Sequence, residues 1–278
     1  VERRGALLRD AMHRMDEQLI VEGVKAPFLQ RLNEAVFAGN ALISINNTTP
    51  YNAVYGRCPS LLPGFELLND EVAIFHDYND LIDANIADAF IIATPNFTHI
   101  DVLKDVMKSE VHLLIEKPLC TNVKDCQEFE KLAENYPGVI WTAMEYRYMP
   151  PVQRMINEIH NNTIGDLKML SIREHRFPFL HKVDDWNRFA IKTGGTLVEK
   201  CCHFFDLMRL IAQSEPVKVY ASGNQDVNHL DETYDGMTPD ILDNAFVIVD
   251  FENGVRAFLD LCMFAENSEY QEELCAVG

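Results

Sequence analysis

A lysine follows a short apolar run near the middle of the sequence, at a position that suits chemistry. The run Val111–Ile115 ends in Glu116, Lys117 and Pro118. A short apolar run bounded by turn residues is typical of a strand buried on both faces, and open α/β sheets bind ligands at the carboxyl ends of such strands. The proline disfavours helix at Lys117. The position therefore predicts a functional lysine; the alternative is a surface lysine that closes a strand.

A second group of polar residues lies in a mostly apolar stretch that predicts one long helix, Thr196–Ala212. Glu199, His203 and Asp206 are spaced i, i+4 and i+7, so they share one helix face. A polar stripe on a largely buried helix needs partners or a wet cavity, and such groups cluster at functional sites. Two alternatives remain open. Thr196 and Glu199 also fit a capping box, and a lone buried histidine is often a hydrogen-bonded part of the core.

A third group follows the predicted strand Ala87–Ala93 and consists of Thr94, Asn96 and His99. The carboxyl ends of parallel strands lie at one edge of a sheet, so these side chains are expected beside Lys117. Asn96 also suits the cap of the helix that follows it.

A fourth group lies farther along the chain. Arg147, in the run Glu145-Tyr146-Arg147, is expected to face a cleft or linker, and its alternative is a surface salt bridge. Trp186 and Arg188 precede a pair of glycines in a polar loop and are weaker candidates.

These residues require a sheet whose strands alternate with helices from Glu71 to about residue 149. Such alternation indicates parallel strands joined by right-handed crossovers. The predicted strands are Val72–Phe75, Ala87–Ala93, Val111–Ile115 and Val139–Ala143, and the predicted helices cover 77–85, 98–109 and 122–135.

The alternation stops past Pro150. Longer strands follow, two of them joined by the hairpin signal Glu252-Asn253-Gly254, which indicates a second, α+β domain. The predicted strands are 167–176, 217–223, 245–251 and 255–263, and the predicted helices are Pro151–His160 and Thr196–Ala212.

Composition excludes several classes of function. The formal net charge is −19, and residues 1–66 are neutral, so the acidic remainder would repel phosphate backbones and is not expected to bind nucleic acid. The sequence has no 18-residue apolar stretch and no signal peptide, so we expect a cytoplasmic protein without a membrane partner. Seven scattered cysteines are expected to be free thiols, with no metal site.

Residues 1–66 have a different character. Helices are predicted over 6–21 and 27–45, followed by a loop. The run AVFAGNALISINNTTPYNAVYGRCPSLLP, Ala35–Pro63, resembles the tail of the integrase region of retrotransposon polyproteins. The resemblance implies an origin for this segment and brings none of the integrase carboxylates. Val1 and the apolar ending LCAVG are expected to be cuts in a longer product.

The motifs ATPNFTH, EKP, E-x-R-x-x-P, W-x-R and GG-x₃-E-x₃-H-x₂-D, in this order, resemble the Gfo/Idh/MocA family of NAD(P)-dependent oxidoreductases over about residues 71–278. The resemblance implies an α/β fold with an incomplete Rossmann-type parallel sheet in residues 67–149. An α+β domain with a mainly antiparallel sheet would follow in 150–278. It further implies NAD or NADP as cofactor, a sugar- or polyol-like substrate, and a homo-oligomer formed through the second sheet.

The resemblance also implies roles for single residues. Lys117 matches the lysine that contacts the reacting oxygen, and His203 matches the acid/base. Glu199 stands where the family usually has Asp, and we group it with the catalytic residues. A hydride leaves carbon only if the hydroxyl proton is also removed. Histidine can remove this proton near neutral pH, and lysine can stabilise the developing oxyanion. We assign cofactor binding to Thr94, Asn96, His99, Glu116 and Pro118, and substrate binding to Arg147, Asp206, Trp186 and Arg188.

The family's G-x-G-x-x-G turn, which binds the pyrophosphate, is expected before residue 71, where the integrase-like segment lies instead. The first alternative is therefore a catalytically inactive fusion or gene-model product that lacks this loop. The second is a nucleic-acid-handling remnant in residues 1–66, a segment without a basic stripe.

Overall fold

The computed structural model describes residues 73–278. The helices and the integrase-like resemblance predicted for residues 1–66 lie outside the described residues. Residues Phe75–Gly278 form one compact unit. Within residues 73–278 the six cysteines are free, and no helix is long and apolar enough to cross a bilayer.

The first part of this unit is a parallel sheet of three strands in the order β1-β2-β3. Its helices begin where the sequence supplies caps, since Asp77 and Asn122 accept backbone N–H bonds at two N-termini. The strands are β1 (Ala89–Ile92), β2 (His112–Ile115) and β3 (Ile140–Thr142), and the helices are α1 (Tyr78–Ala84), α2 (His99–Val106) and α3 (Val123–Ala133). The predicted alternation is confirmed for these elements, but the predicted strand Val72–Phe75 is not formed at residues 73–75.

One face of this sheet packs on α2 and α3 around Leu103, Leu113 and Ile115. On the opposite face Ile91, Leu114 and Trp141 lie side by side in the strand register. Ile91 is 72% exposed. Parallel sheets are normally covered on both faces. This face is therefore open in the part of the chain that the structure describes.

The second part is a five-stranded sheet in the order β5-β6-β7-β4-β8. Its pairs are antiparallel except β4 with β7, which is parallel. The strands are β4 (Met169–His175), β5 (Pro216–Asn224), β6 (Asn244–Phe251), β7 (Arg256–Cys262) and β8 (Glu272–Val277). Strand β8 was not predicted, and it pairs with the edge of β4.

Helices cover one face of the second sheet. Alternate residues of β6, Ala245 to Phe251, point into a core that also contains Ile156 and Phe204. The helices of this part are α4 (Pro150–His160), α5 (Ala190–Thr193), α6 (Thr196–Glu199) and α7 (Cys202–Ala212). A 3₁₀ segment, Val183–Arg188, precedes α5.

The predicted helix Thr196–Ala212 is wrong in one respect, because it is interrupted at Lys200 and Cys201. The capping box is also absent. Gly195 is the N-cap residue, the Thr196 hydroxyl donates to the Leu242 carbonyl, and the Glu199 carboxylate binds Lys182. The single helix that the apolar pattern predicted is therefore two helices, α6 and α7.

Gly194 brings the two parts into close contact. Its φ is +82°, and a Cβ there would lie 2.6 Å from the backbone oxygen of Thr121, in the loop after β2. Only glycine combines this backbone conformation with so close an approach. Gly165 has a similar φ of +78° but nothing within 4 Å of such a Cβ.

We expect Gly194→Ala to cost about 3 kcal/mol of unfolding free energy and Gly165→Ala about 1 kcal/mol. Both variants carry the left-handed strain, so the difference reports the clash of the added Cβ with Thr121 and with Val198, which lies 2.8 Å away. Urea unfolding of the whole chain measures both values. Equal losses would contradict the close approach.

Candidate functional site

The turn that carries Lys117 is tied to both parts of the unit. The Glu116 N–H donates to the Ile92 carbonyl at 2.8 Å, which keeps the turn beside the end of β1. The Lys117 ammonium donates to the Glu199 carbonyl at 3.0 Å. Helix α6 ends at Glu199, and the last carbonyls of a helix have no intrahelical partner. The interruption before α7 thus provides the acceptor for the lysine.

His99 joins the two loops that follow β1 and β2. Its Nδ1 lies 2.9 Å from the Pro118 carbonyl and its Nε2 lies 2.9 Å from the Thr94 carbonyl. The ring is fully buried. Asn96, one turn earlier, is also buried, and its side-chain nitrogen has no partner. His99 therefore holds the loops together, whereas Asn96 has an amide free to bind something else.

His203 lies at the start of α7 and is only 2% exposed. Its ring stacks on that of Tyr146, with 4.3 Å between centroids and 8° between planes. Nε2 lies 3.5 Å from a carboxylate oxygen of Glu145, whereas Nδ1 is buried without a partner.

Burial, with smaller contributions from the positive charges of Lys117 and Lys200, lowers the pKa of His203 to about 3. The imidazole is therefore neutral at pH 7. Lys117 binds the carbonyl of Glu199, four residues before His203, so the amine lies near the imidazole although the two come from different parts of the unit.

Glu199 is buried beside them. One carboxylate oxygen binds the Lys182 ammonium at 3.2 Å, and the other has no partner. Lys182 also lies 4.4 Å above the Trp186 ring, and Trp186 contacts Phe97 edge to face. These contacts connect the loop after β1 to the helix interruption.

The structure pairs the remaining candidates with other side chains. Arg147 and Asp206 bind each other through two hydrogen bonds, one of them 2.5 Å long. Arg188 is buried and its Nε donates to Glu232 at 3.1 Å, although its Nη1 has no partner. The charge of Glu232 is well stabilised, because hydrogen bonds from His229 and Tyr234 outweigh burial and lower its pKa to about 2.

Three side chains of the site thus present buried polar atoms without a partner in the described residues: Asn96 Nδ2, Glu199 Oε2 and His203 Nδ1. Buried polar groups are nearly always hydrogen-bonded in native proteins. An unpaired donor on Asn96 and an unpaired acceptor on Glu199, whose backbone carbonyl binds Lys117, indicate a place for a polar ligand. Residues 73–278 contain no group of three or more His, Cys, Asp or Glu placed to hold a metal.

Sequence reasoning missed three side chains at the site. Lys182 binds Glu199, Tyr146 supports the His203 ring, and Lys200 binds the Tyr146 hydroxyl at 2.6 Å. Tyr146 and Lys200 are adjacent in sequence to the candidates Arg147 and Glu199, and this adjacency could have identified them. Lys182 has no such signal, because it lies in the polar loop.

Comparison with known proteins gives matches in both parts of the chain. Residues 65–144 match the family sequence model described as "Oxidoreductase family, NAD-binding Rossmann fold". Residues 156–275 match "Oxidoreductase family, C-terminal alpha/beta domain" of the same Gfo/Idh/MocA family. The matches begin at residue 65, so they give no support to the integrase-like resemblance of Ala35–Pro63.

Individual relatives agree with these matches. An uncharacterized oxidoreductase of Bacillus subtilis, YrbE, is 27% identical over 67% of this chain and 52% of its own length. The myo-inositol 2-dehydrogenase of Thermotoga maritima is 26% identical over 67% of this chain and 53% of its own length. The chain therefore spans about half the length of these curated relatives.

Solved structures share the fold. Levoglucosan dehydrogenase, in a complex with NADH and levoglucosan, aligns with a TM-score of 0.64 at 19% identity. The alignment covers 73% of this chain and 55% of that one.

Protonation of His203 is expected to destabilise the fold. Its pKa is lowered on folding, so the unfolded chain takes up a proton below pH 6.5 that the folded chain does not, and stability falls as the pH falls. The wild type should lose about 2 kcal/mol more than His203→Phe between pH 7 and pH 5. Urea unfolding at both pH values measures this difference.

His76→Asn is the control, because His76 is exposed. It should lose as much stability as the wild type. The assignment of the acid sensitivity to His203 is wrong if His203→Phe also matches the wild type.

Proposed function

This chain belongs to the Gfo/Idh/MocA family of oxidoreductases, and we propose that its site transfers hydride between a nicotinamide cofactor and a sugar- or polyol-like hydroxyl or carbonyl. The observation that carries the proposal is the convergence of Lys117 and His203 on one site, with unpaired polar atoms around them. A cation and a neutral imidazole are the groups that oxidation of an alcohol requires besides a hydride acceptor.

We assign proton acceptance to His203 Nε2, because this atom lies 3.5 Å from a carboxylate oxygen of the exposed Glu145. The Glu145 carboxylate stabilises the imidazolium that forms. The Lys117 ammonium stabilises the oxyanion that develops as the proton leaves. In the reverse direction the same imidazolium protonates the reduced carbonyl.

A polyol substrate suits the free atoms of the site. Each hydroxyl both donates and accepts, and the site offers the Asn96 amide as donor and the Glu199 carboxylate as acceptor. The ion pair with Lys182 orients the Glu199 carboxylate. The matched Thermotoga relative is named for myo-inositol, and a structural neighbour holds levoglucosan, which supports this substrate class.

The described residues fit the cofactor in part. Asn96, with its unpaired amide, Thr94 and Glu116 lie at the carboxyl ends of β1 and β2 and would hold the nicotinamide end. His99 and Pro118 would act through loop placement. The bound nicotinamide would supply the hydride chemistry. For the pyrophosphate there is no fit, since the sequence contains no G-x-G-x-x-G.

We assign Arg147, Asp206, Trp186 and Arg188 to the frame of the substrate pocket. The Arg147–Asp206 pair links the segment Glu145–Tyr148 to α7, and Trp186 covers the Lys182–Glu199 pair. Arg188 retains one free buried N–H for a ligand.

We further propose that the chain forms a homo-oligomer through its second sheet. The second sheet presents Phe246 and Ile248 on its uncovered face, and a homo-oligomer would bury them. We place the domain boundary at residues 149–150, between the two hydrophobic cores. We expect a cytoplasmic protein without nucleic-acid partners.

The missing glycine turn favours a second candidate, a catalytically inactive product. Titration of the purified chain with NADH and NADPH separates the two. If the chain is an active oxidoreductase, it should bind the cofactor at micromolar concentrations. If it is catalytically inactive, it should show no binding.

If the chain is an active oxidoreductase, Lys117→Met should lower kcat/KM about 10²- to 10³-fold, because the oxyanion loses its cation. The substrates are NAD⁺ and myo-inositol or another cyclic polyol. Formation of NADH measures the rate. Lys108→Met is the matched control, since Lys108 is exposed and binds Asp105. Equal rates for the two variants would exclude the assigned role of Lys117.

A further inference from the structure

A buried group of charges lies behind His203. Lys200, in the interruption between α6 and α7, is nearly inaccessible to solvent. Its ammonium lies 3.2 Å from a Glu174 oxygen and 3.3 Å from a Glu272 oxygen, and it donates to the Tyr146 hydroxyl at 2.6 Å. The Tyr146 hydroxyl in turn donates to Glu272. No residue of this group was assigned a function by its sequence motif.

The strand register explains why the lysine is needed there. Glu174 on β4 and Glu272 on β8 are paired directly across the two strands. Two carboxylates in such a position repel each other. Glu174 is fully buried, and burial raises its pKa to about 7, although the charge of Lys200 opposes that shift. Lys200, together with Arg176, whose Nη1 lies 3.5 Å from a Glu174 oxygen, therefore stabilises a strand pair that would otherwise place two acidic groups together.

The same lysine fixes the aromatic ring behind the imidazole. Tyr146 is held at its hydroxyl by Lys200 and Glu272, and its ring stacks on His203 at 4.3 Å. Burial, then the hydrogen bond to Glu272, raises the pKa of Tyr146, so the hydroxyl keeps its proton for that bond. Lys200 also lies 4.9 Å from the centre of the Tyr146 ring.

We propose that Lys200 is a positioning residue for His203: held between Glu174 and Glu272, it fixes the Tyr146 ring on which the imidazole stacks. It touches neither substrate nor cofactor and acts through Tyr146. The value of a well-placed imidazole for proton transfer rests on the proposed function, but the contacts themselves do not.

Several charged and titratable groups face His203. Lys117 approaches from the turn after β2, and Glu145 and Tyr146 from the segment that precedes α4. Cys202 adjoins it on α7, and Lys200 lies in the interruption before that helix. Loss of the Lys200 charge is therefore expected to raise the pKa of His203, with Lys117 still opposing protonation.

Proton NMR of the imidazole, in the whole chain without cofactor, tests this inference. Stacking on Tyr146 should shift the His203 C–H resonances upfield through the ring current. In Lys200→Met this upfield shift should be lost, and the pKa of His203 should rise by about one unit, a tenfold change in proton affinity. Lys168→Met is the control, because Lys168 is exposed and should change neither quantity.

Tyr146→Phe keeps an aromatic ring and removes only the hydroxyl that Lys200 holds. This variant tests the inference even if Lys200→Met does not fold. Its ring-current shift on His203 should decrease, because the aromatic ring is no longer fixed. Wild-type resonances and a wild-type pKa in the folded variants would overturn the inference. A chain that binds no NADH but shows the expected NMR changes would contradict the proposed function and leave this inference supported.

Discussion

The hydrogen bond from the Lys117 ammonium to the Glu199 carbonyl is the interaction on which the site depends. It joins the carboxyl end of a parallel strand to the end of a helix in the other part of the unit. Its acceptor exists because helix α6 stops there, and its donor is held out of helix by the turn at Pro118. Gly194 permits the approach of the two backbones, since no other residue fits against Thr121.

Most charged side chains near this bond form an ion pair with a group of opposite charge. Glu199 is matched by Lys182, Asp206 by Arg147, Arg188 by Glu232, and Lys200 by Glu174 and Glu272. Such pairs offset the cost of desolvation but add little stability beyond that. The unpaired atoms of Asn96, Glu199 and His203 are informative, because native folds seldom leave buried polar groups without a partner.

Sequence patterns predicted much of this arrangement. Strand–helix alternation gave the parallel sheet, and the order of short motifs gave the family and the residues near Lys117. Periodicity could not locate the interruption at Lys200, since apolar residues continue through it. Strand β8 was missed because its exposed side carries Glu273 and Cys275 at a sheet edge and gives no strong apolar signal. The partners Lys182 and Glu272 come from distant segments, and tertiary contacts alone bring them to the site.

The central claim is that Lys117 and His203 share one site, and a double-mutant cycle tests it most directly. The loss of unfolding free energy between pH 7 and pH 3, the pH range that reaches the folded-state pKa of His203, is measured for the wild type, Lys117→Met, His203→Phe and the double variant. The account predicts that Lys117→Met reduces this loss by about 1 kcal/mol when His203 is present and has no effect on it in the His203→Phe background. Equal effects of Lys117→Met in both backgrounds would show that the amine and the imidazole do not interact, and would contradict the account.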